Sequence, residues 1–368
     1  MPIPQQKTPD RRISRRQKAL RAKMSRRGFD AFLITNPHNV RYFCGFTGDD
    51  SWVVLTAGRC ALLTDSRYTE QARSECCHCD VLERKGSLHA LCRQFLSENE
   101  ARIVGFESDA VTYRLWSLLQ GDGLEWQPST GLVESQRMTK DPEEVRRIGR
   151  AISVAQAAFL QVRELIKPGV TEVWLANKLD AIQRQLGASG SSFEPIVLFG
   201  ERASLPHGRP SERVLKEGEQ VLIDWGARVG LYDSDLTRVL LPSKISGKLR
   251  RIYQIVLDAQ RAAIDAAKPG MSGRQLDAVA RKVIEKAHYG KAFGHGLGHG
   301  VGLEIHEGPV LSRFSTDELK PGMVVTIEPG IYIPGWGGVR IEDMILITRT
   351  GRRVLTSLPK SMDEVCVI

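Results

Sequence analysis

The chain lacks a disulfide framework. Its seven cysteines are odd in number and irregularly spaced, a usage that predicts a reducing compartment. No run of about eighteen uncharged apolar residues occurs, so no membrane-spanning helix is expected. The start has no apolar segment leading to a small-residue cleavage site, which argues against secretion and for a cytoplasmic protein. Acidic residues are nearly missing from one place only. Residues 1–28 hold Asp10 against ten Lys or Arg, from Lys7 to Arg27, and this segment accounts for the whole net charge of +9. The remainder balances, so the charge does not mark the body of the protein as a nucleic-acid binder. A basic arm or a transit peptide would also be Arg-rich. However, Ile13, Leu20 and Met24 recur at helical spacing and Gly28 follows as a stop, which predicts an ordinary helix with a solvated basic face.

At 368 residues the chain is long for one domain, and two are expected. In the first third "DAFLIT", "SWVVLT", "ALLTD", "DVLE" and "RIVGFE" read as strands interleaved with helical stretches, which predicts an α/β domain. The pattern changes near residue 138. Asp141 as a cap and Pro142 in the first turn open a long amphipathic helix carrying Val145, Ile148, Ile152, Phe159 and Val162. The boundary is therefore placed between 1–137 and 138–368.

The second part repeats itself. "IKPGVTEVWLANKLDA" resembles "AKPGMSGRQLDAVARK" about a hundred residues later, and "LKEGEQVLID" resembles "LKPGMVVTIE" at nearly the same offset. A duplicated helix-plus-strand unit is expected. It aligns Asp224 with Glu328, each at the end of an apolar strand, where a carboxylate is costly to bury without a partner. Asp235 and Glu342 follow through glycine-rich turns that predict returning hairpins. Four converging carboxylates need positive charge between them. Two divalent metals would balance them, and oxygen-rich ligation favours a hard ion such as Mn²⁺.

"FGHGLGHGVGLEIHEGP" (293–309) adds three histidines. "HGLGH" has the spacing of a zinc-protease helix but no catalytic Glu, and its glycines disfavour a helix. An extended backbone places His295, Leu297 and His299 on one face and glycines on the other, and the bare face predicts close approach of a backbone or a ligand. A phosphate loop is not supported, since no G-K-[ST] ending is present. A satisfied core histidine would be the ordinary reading of His299, were it not for the four acids. "CCHCD" (76–80) contains one C-x-x-C without a second pair and reads as ordinary thiols in a loop.

Together, "IDWGARVGLYDSDLTR", "HGLGHGVGLEIHE", "TIEPGIY" and "VRIED" resemble the pita-bread metallopeptidases, in the aminopeptidase P and prolidase branch. "NVRYFCGFTGDDSWVVLT" and "LLTDSRYTEQA" are similar to that branch's N-terminal domain. The resemblance implies a creatinase-type α/β domain with a mixed sheet. An α+β pita-bread catalytic domain with an internal pseudo-twofold would follow it. It implies Asp224, Asp235, His299, Glu328 and Glu342 as ligands of two metals, most suitably Mn²⁺, with Co²⁺ or Zn²⁺ as alternatives. Asp235 and Glu342 would bridge the pair. His306 and His207 would flank the substrate, His295 would stand behind or beside them, and Arg340 would bond near the bridging acids.

Water between two cations loses a proton near neutral pH and can attack the carbonyl before proline, with Glu328 passing the proton on. The expected activity is removal of the first residue from Xaa-Pro peptides by an Xaa-Pro aminopeptidase, with Xaa-Pro dipeptidase (prolidase) as the alternative. A non-catalytic peptide- or nucleic-acid-binding member of the fold, or a metal-free hydrolase of creatinase type, is disfavoured by the complete ligand set. The resemblance further implies a homodimer.

Overall fold

In the computed structural model, which describes residues 10–366, the basic opening segment is the helix Arg11–Arg27. Asp10 caps it by accepting the Arg12 amide, and Gly28 ends it in the left-handed region at φ 73°. Ile13, Gln17, Leu20 and Met24 are buried along one stripe, which leaves the other faces to the arginines. Lys7, read above as part of this basic segment, lies outside the described residues.

The chain divides into two compact units, Met1–Arg137 and Met138–Ile368. The first is built on a six-stranded mixed sheet. Its first three strands, Ala31–Ile34, Trp52–Thr56 and Cys60–Thr64, form an antiparallel meander. Asp80–Glu83 adds in parallel at one edge, and Ile103–Glu107 and then Glu125–Ser129 add in parallel at the other. The last strand was not anticipated. It carries Pro128, which an edge strand tolerates because one of its sides needs no ladder donor. The helix Pro37–Cys44 was also missed, although Asn36 caps it by accepting the His38 and Asn39 amides. In the "CCHCD" loop the Cys79 sulfur lies 3.0 Å from that of Cys60, a neighbour sixteen residues before the C-x-x-C begins. All seven cysteines are free thiols.

The second unit opens with the helix Pro142–Arg163. Asp141 and Glu144 form a reciprocal capping box at its start. Phe159 on this helix stacks on Trp225 at 4.5 Å between ring centroids, and the Trp225 indole N–H donates to the Ala155 carbonyl. The duplication is visible in three dimensions. Helix Glu172–Gln185 is capped by Thr171, and its counterpart Gly273–Lys286 by Ser272. Gly218 and Gly322, at φ 82° and 93°, make the equivalent turns into the strands Val221–Trp225 and Val324–Ile327.

Each of these strands pairs antiparallel with a later one. Val221–Trp225 pairs with Leu236–Leu240, and Val324–Ile327 with Asp343–Ile347. The intervening residues in each copy fold into a short antiparallel ribbon, so the hairpins carry insertions rather than tight turns. This arrangement brings the ends of all four strands to one place. Among the described residues, no helix is long and apolar enough to cross a membrane.

Candidate metal centre

Asp224 sits near the end of its strand, and Asp235 immediately precedes the returning one. Glu328 directly follows Val324–Ile327, and Glu342 directly precedes Asp343–Ile347. The two copies thus deliver four carboxylates to one cavity of about 470 Å³, which His295, His299, His306, His207 and Arg340 also line. One oxygen each from Asp224, Asp235 and Glu342 lies within 4.8 Å of the other two. His299 Nε2 is 3.3 Å from Glu328 Oε1 and 3.5 Å from Asp235 Oδ2. Its Nδ1 donates to the Gly300 carbonyl at 3.1 Å, so Nε2 is the nitrogen turned toward the acids.

The electrostatics of this cluster are those of a site short of positive charge. Burial pushes Asp235 up to about 8, with Asp224 adding repulsion. Burial also raises Asp224, and it raises Glu342 well above the ordinary carboxylate range. Glu328 goes the other way. Its burial is outweighed by the hydrogen bond and charge of His299, which hold it at about 2. His299 is itself held well above the usual histidine value, because the Asp235 and Glu328 carboxylates overcome its burial. Asp224 Oδ1 and Glu342 Oε1 are buried without a hydrogen-bond partner, and such groups are costly to leave unmet. Unmet carboxylate oxygens beside one imidazole nitrogen suit hard or borderline divalent ions. The residues present fit the ligation of divalent metal.

A hydrogen-bonded frame surrounds the donors. Arg340 Nη2 donates to Asp224 Oδ2 at 2.5 Å, its Nε to Thr237 Oγ1 at 3.0 Å and its Nη1 to Tyr332 Oη at 2.7 Å. The Thr237 hydroxyl passes its own proton to Glu342 Oε2 at 2.7 Å. Tyr332 is 2.9 Å from His295 Nε2, and His295 Nδ1 donates to the Gly296 carbonyl at 2.7 Å. His295 is thus tied to Arg340 through Tyr332. Thr326 donates to Glu328 Oε1 at 3.0 Å. Thr237, Thr326 and Tyr332 were not singled out in the sequence. The signal available for Thr237 was its place in the returning strand, directly opposite Asp224. His306 packs edge-on to His299 at 4.3 Å between ring centroids, and burial together with the charge of His299 lowers its pKa. His207 lines the cavity from the loop after Pro206.

The glycine-rich stretch differs from expectation in one respect and meets it in another. Leu297 does not share a face with His295 and His299; it is fully buried in the apolar core, because only Gly298–Gly300 is regular strand. Of the two alternatives for the bare face, close approach of neighbouring backbone is what Gly298 and Gly300 show. A Cβ on Gly298 would sit 2.2 Å from the Thr326 carbonyl oxygen, and one on Gly300 2.1 Å from that of Gly308. The strand Gly298–Gly300 runs between Glu307–Leu311 and Val324–Ile327, and packing at that distance leaves no room for a Cβ at either glycine.

Residues 146–349 match metallopeptidase family M24, and residues 16–139 match the creatinase/prolidase N-terminal domain. An Xaa-Pro dipeptidase of Pyrococcus furiosus is 35% identical over 341 residues, 92% of this chain and 97% of that protein. Among solved structures, the Xaa-Pro dipeptidase of Bacillus anthracis superposes with a TM-score of 0.93 at 40% identity. That match covers 95% of this chain and 99% of the other. An X-Pro aminopeptidase of Thermotoga maritima gives 0.85 at 36% identity over 92% and 99%. The chain belongs to metallopeptidase family M24. Its fold is a creatinase-type N-terminal domain followed by a pita-bread catalytic domain, and the family is one of metal-dependent Xaa-Pro peptidases.

Proposed function

We propose that this protein is an Xaa-Pro dipeptidase, cleaving the bond before a C-terminal proline with two divalent ions, Mn²⁺ being the most suitable. The observation that carries the reading is the donor set itself: four carboxylates and one imidazole on one cavity, two of their oxygens buried and unpartnered. The dipeptidase replaces the aminopeptidase as first reading because relatives similar over nearly the whole chain bear that name. The aminopeptidase stays as a second reading, supported by the likeness to the Thermotoga maritima protein.

Asp224, Asp235, His299, Glu328 and Glu342 would hold the ions, with Asp235 and Glu342 shared between them. When bound, such ions supply Lewis acidity that activates water and polarises the scissile carbonyl. Arg340 and Thr237 keep the Asp224 and Glu342 carboxylates oriented for that task. His306, kept neutral by burial, hydrogen-bonds substrate near the scissile bond, and His207 does so from the facing loop. Glu328 moves a proton to the leaving imide nitrogen. An Xaa-Pro bond carries no N–H, so a site that asks for no donor there accepts what general peptidases bind poorly. A homodimer belongs to the same reading.

The test is hydrolysis of Xaa-Pro and Xaa-Pro-Xaa peptides by the Mn²⁺-loaded protein. Preference for the dipeptide supports the reading, and cleavage of the tripeptide alone reverses it in favour of the aminopeptidase.

A further inference from the structure

The metal centre leaves one sequence motif unused, the C-x-x-C of the first unit. Its two cysteines have different partners. Cys76 hydrogen-bonds Cys44, whereas Cys79 meets Cys60 sulfur to sulfur at 3.0 Å. Cys60 and Cys79 each stand one residue before Ala61 and Asp80, which face each other on neighbouring parallel strands. Such strands lie about 4.8 Å apart, and a disulfide asks for about 4.4–6.8 Å between its Cα atoms. The two sulfurs can therefore join without movement of the backbone.

The surrounding contacts single out this pair. The Gln17 amide nitrogen, on the buried stripe of the opening helix, lies 3.4 Å from the Cys60 sulfur and 3.7 Å from that of Cys79. The same nitrogen donates to the Phe43 and His78 carbonyls at 3.0 and 3.3 Å, which fixes it over both thiols. A donor aimed at sulfur favours the thiolate, the form that reacts with oxidants. Cys60 is buried and Cys79 partly exposed, so a small oxidant reaches Cys79 with its partner already in contact behind it. Cys44, by contrast, is fully buried and donates its S–H to the Val40 carbonyl, and Cys92 lies in the apolar core. Among the described residues, the group of three donor atoms mutually within 4.8 Å belongs to the carboxylates of the second unit. The sulfurs therefore do not close into a cage for a metal.

We infer that Cys60 and Cys79 form a hydroperoxide-reactive dithiol site that closes reversibly to a disulfide. One thiol loses its proton to water, and its sulfur attacks hydrogen peroxide. The O–O bond breaks, an S–O bond forms, and the departing hydroxide takes up that proton as water. The second thiol then attacks the sulfenic sulfur. An S–S bond forms, the S–O bond breaks, and the hydroxide leaves as water with the second thiol's proton. Two electrons pass from the sulfurs to the peroxide. An accessible cysteine beside a resolving one closes in this way before it over-oxidises. Under reducing conditions the pair stays open until peroxide arrives, and exchange with a dithiol reopens it. The assignment holds whichever peptide the second unit cleaves.

The experiment treats the reduced full-length protein and its Cys60→Ser, Cys79→Ser and Cys77→Ser variants with hydrogen peroxide. Free thiols are then alkylated and the chain is mapped by mass spectrometry without reduction. Wild type and Cys77→Ser should each lose two alkylatable thiols and about 2 Da per chain, with a fragment joining Cys60 to Cys79. Dithiothreitol should restore both thiols. Cys60→Ser should accumulate sulfinic acid at Cys79 instead, and Cys79→Ser should leave the buried Cys60 reduced. A link from Cys79 to Cys44 or Cys76, over-oxidised Cys79 without a link in wild type, or retention of all seven thiols would overturn the assignment. So would Zn²⁺ that blocks these thiols in the reduced wild type and is lost in Cys60→Ser. The wild-type map decides the question even where a serine variant fails to fold.

Discussion

Thr237 is the most exposed point of the proposed metal centre to a conservative change. Its hydroxyl accepts from Arg340 Nε at 3.0 Å and donates to Glu342 Oε2 at 2.7 Å, and all three residues are buried. Thr237→Val keeps the shape and removes both bonds. Glu342 Oε1 has no hydrogen-bond partner, so the substitution deprives the carboxylate of its one described side-chain donor and leaves an Arg340 N–H unmet. Each hydrogen bond to a charged group contributes about 1.5–3 kcal/mol. Part of that loss is recovered when cations hold Glu342, and the remainder should appear as Mn²⁺ affinity about ten- to a hundredfold weaker, the usual cost of removing an outer hydrogen bond from a ligand. The assay is calorimetric titration of metal-free wild type, Thr237→Val and Thr237→Ser, with thermal unfolding measured in parallel. Thr237→Ser, which retains the hydroxyl, should stay within a few-fold of wild type. Thr237→Val binding Mn²⁺ as tightly as wild type would refute the argument that this hydroxyl orients Glu342.

Other expectations follow from the same geometry. Burial pushes Glu107 up to about 7, although the Thr35 and Asn36 amides and the Asn39 side chain donate to it. Its folded pKa is above the unfolded one, so its contribution favours the folded state below about pH 4.5 and declines by about 3 kcal/mol as pH rises to 7. The wild-type minus Glu107→Gln stability difference, measured by denaturant unfolding, should follow that window and be flat above it. Gly298→Ala forces a methyl to within 2.2 Å of the Thr326 carbonyl. Overpacking of this kind costs about 1–3 kcal/mol or more, so a lower denaturation midpoint is expected, and an unchanged midpoint would contradict the backbone-contact account. Arg238 is buried and donates to Asp343 and to the Glu342, Leu358 and Pro359 carbonyls. Asp343 keeps Lys360, Gln260 and Thr356 as partners, so the cost of Arg238→Met is that of the carbonyls left without this donor, about 1–3 kcal/mol each, again read from unfolding curves.

The acids of the centre were legible because each stands beside an apolar strand, and a carboxylate there needs an explanation. The duplication then matched Asp224 to Glu328 without any knowledge of their distance. The caps at Asp141 and Gly28 and most strands of the first unit were legible for similar local reasons. Thr237 and Tyr332 were not, because their roles depend on register and on partners about a hundred residues away or across a ribbon, which no local pattern encodes. Leu297 misled for the opposite reason. Alternation was extended over the whole glycine-rich stretch, whereas regular strand covers only Gly298–Gly300, and outside it the period of two has no force. The glycines correctly announced close approach, but whether ligand or backbone comes close is decided by neighbouring strands that the stretch itself does not reveal.

The central claim is that these five side chains form one centre for two divalent ions. It is tested most directly by the stoichiometry of Mn²⁺ bound to the dialysed protein and to His299→Ala. The account expects two ions per chain in the wild type and loss of at least one, with hydrolysis, in the variant. Fewer than one ion per chain in the wild type, or a His299→Ala protein that binds two and remains fully active, would contradict it.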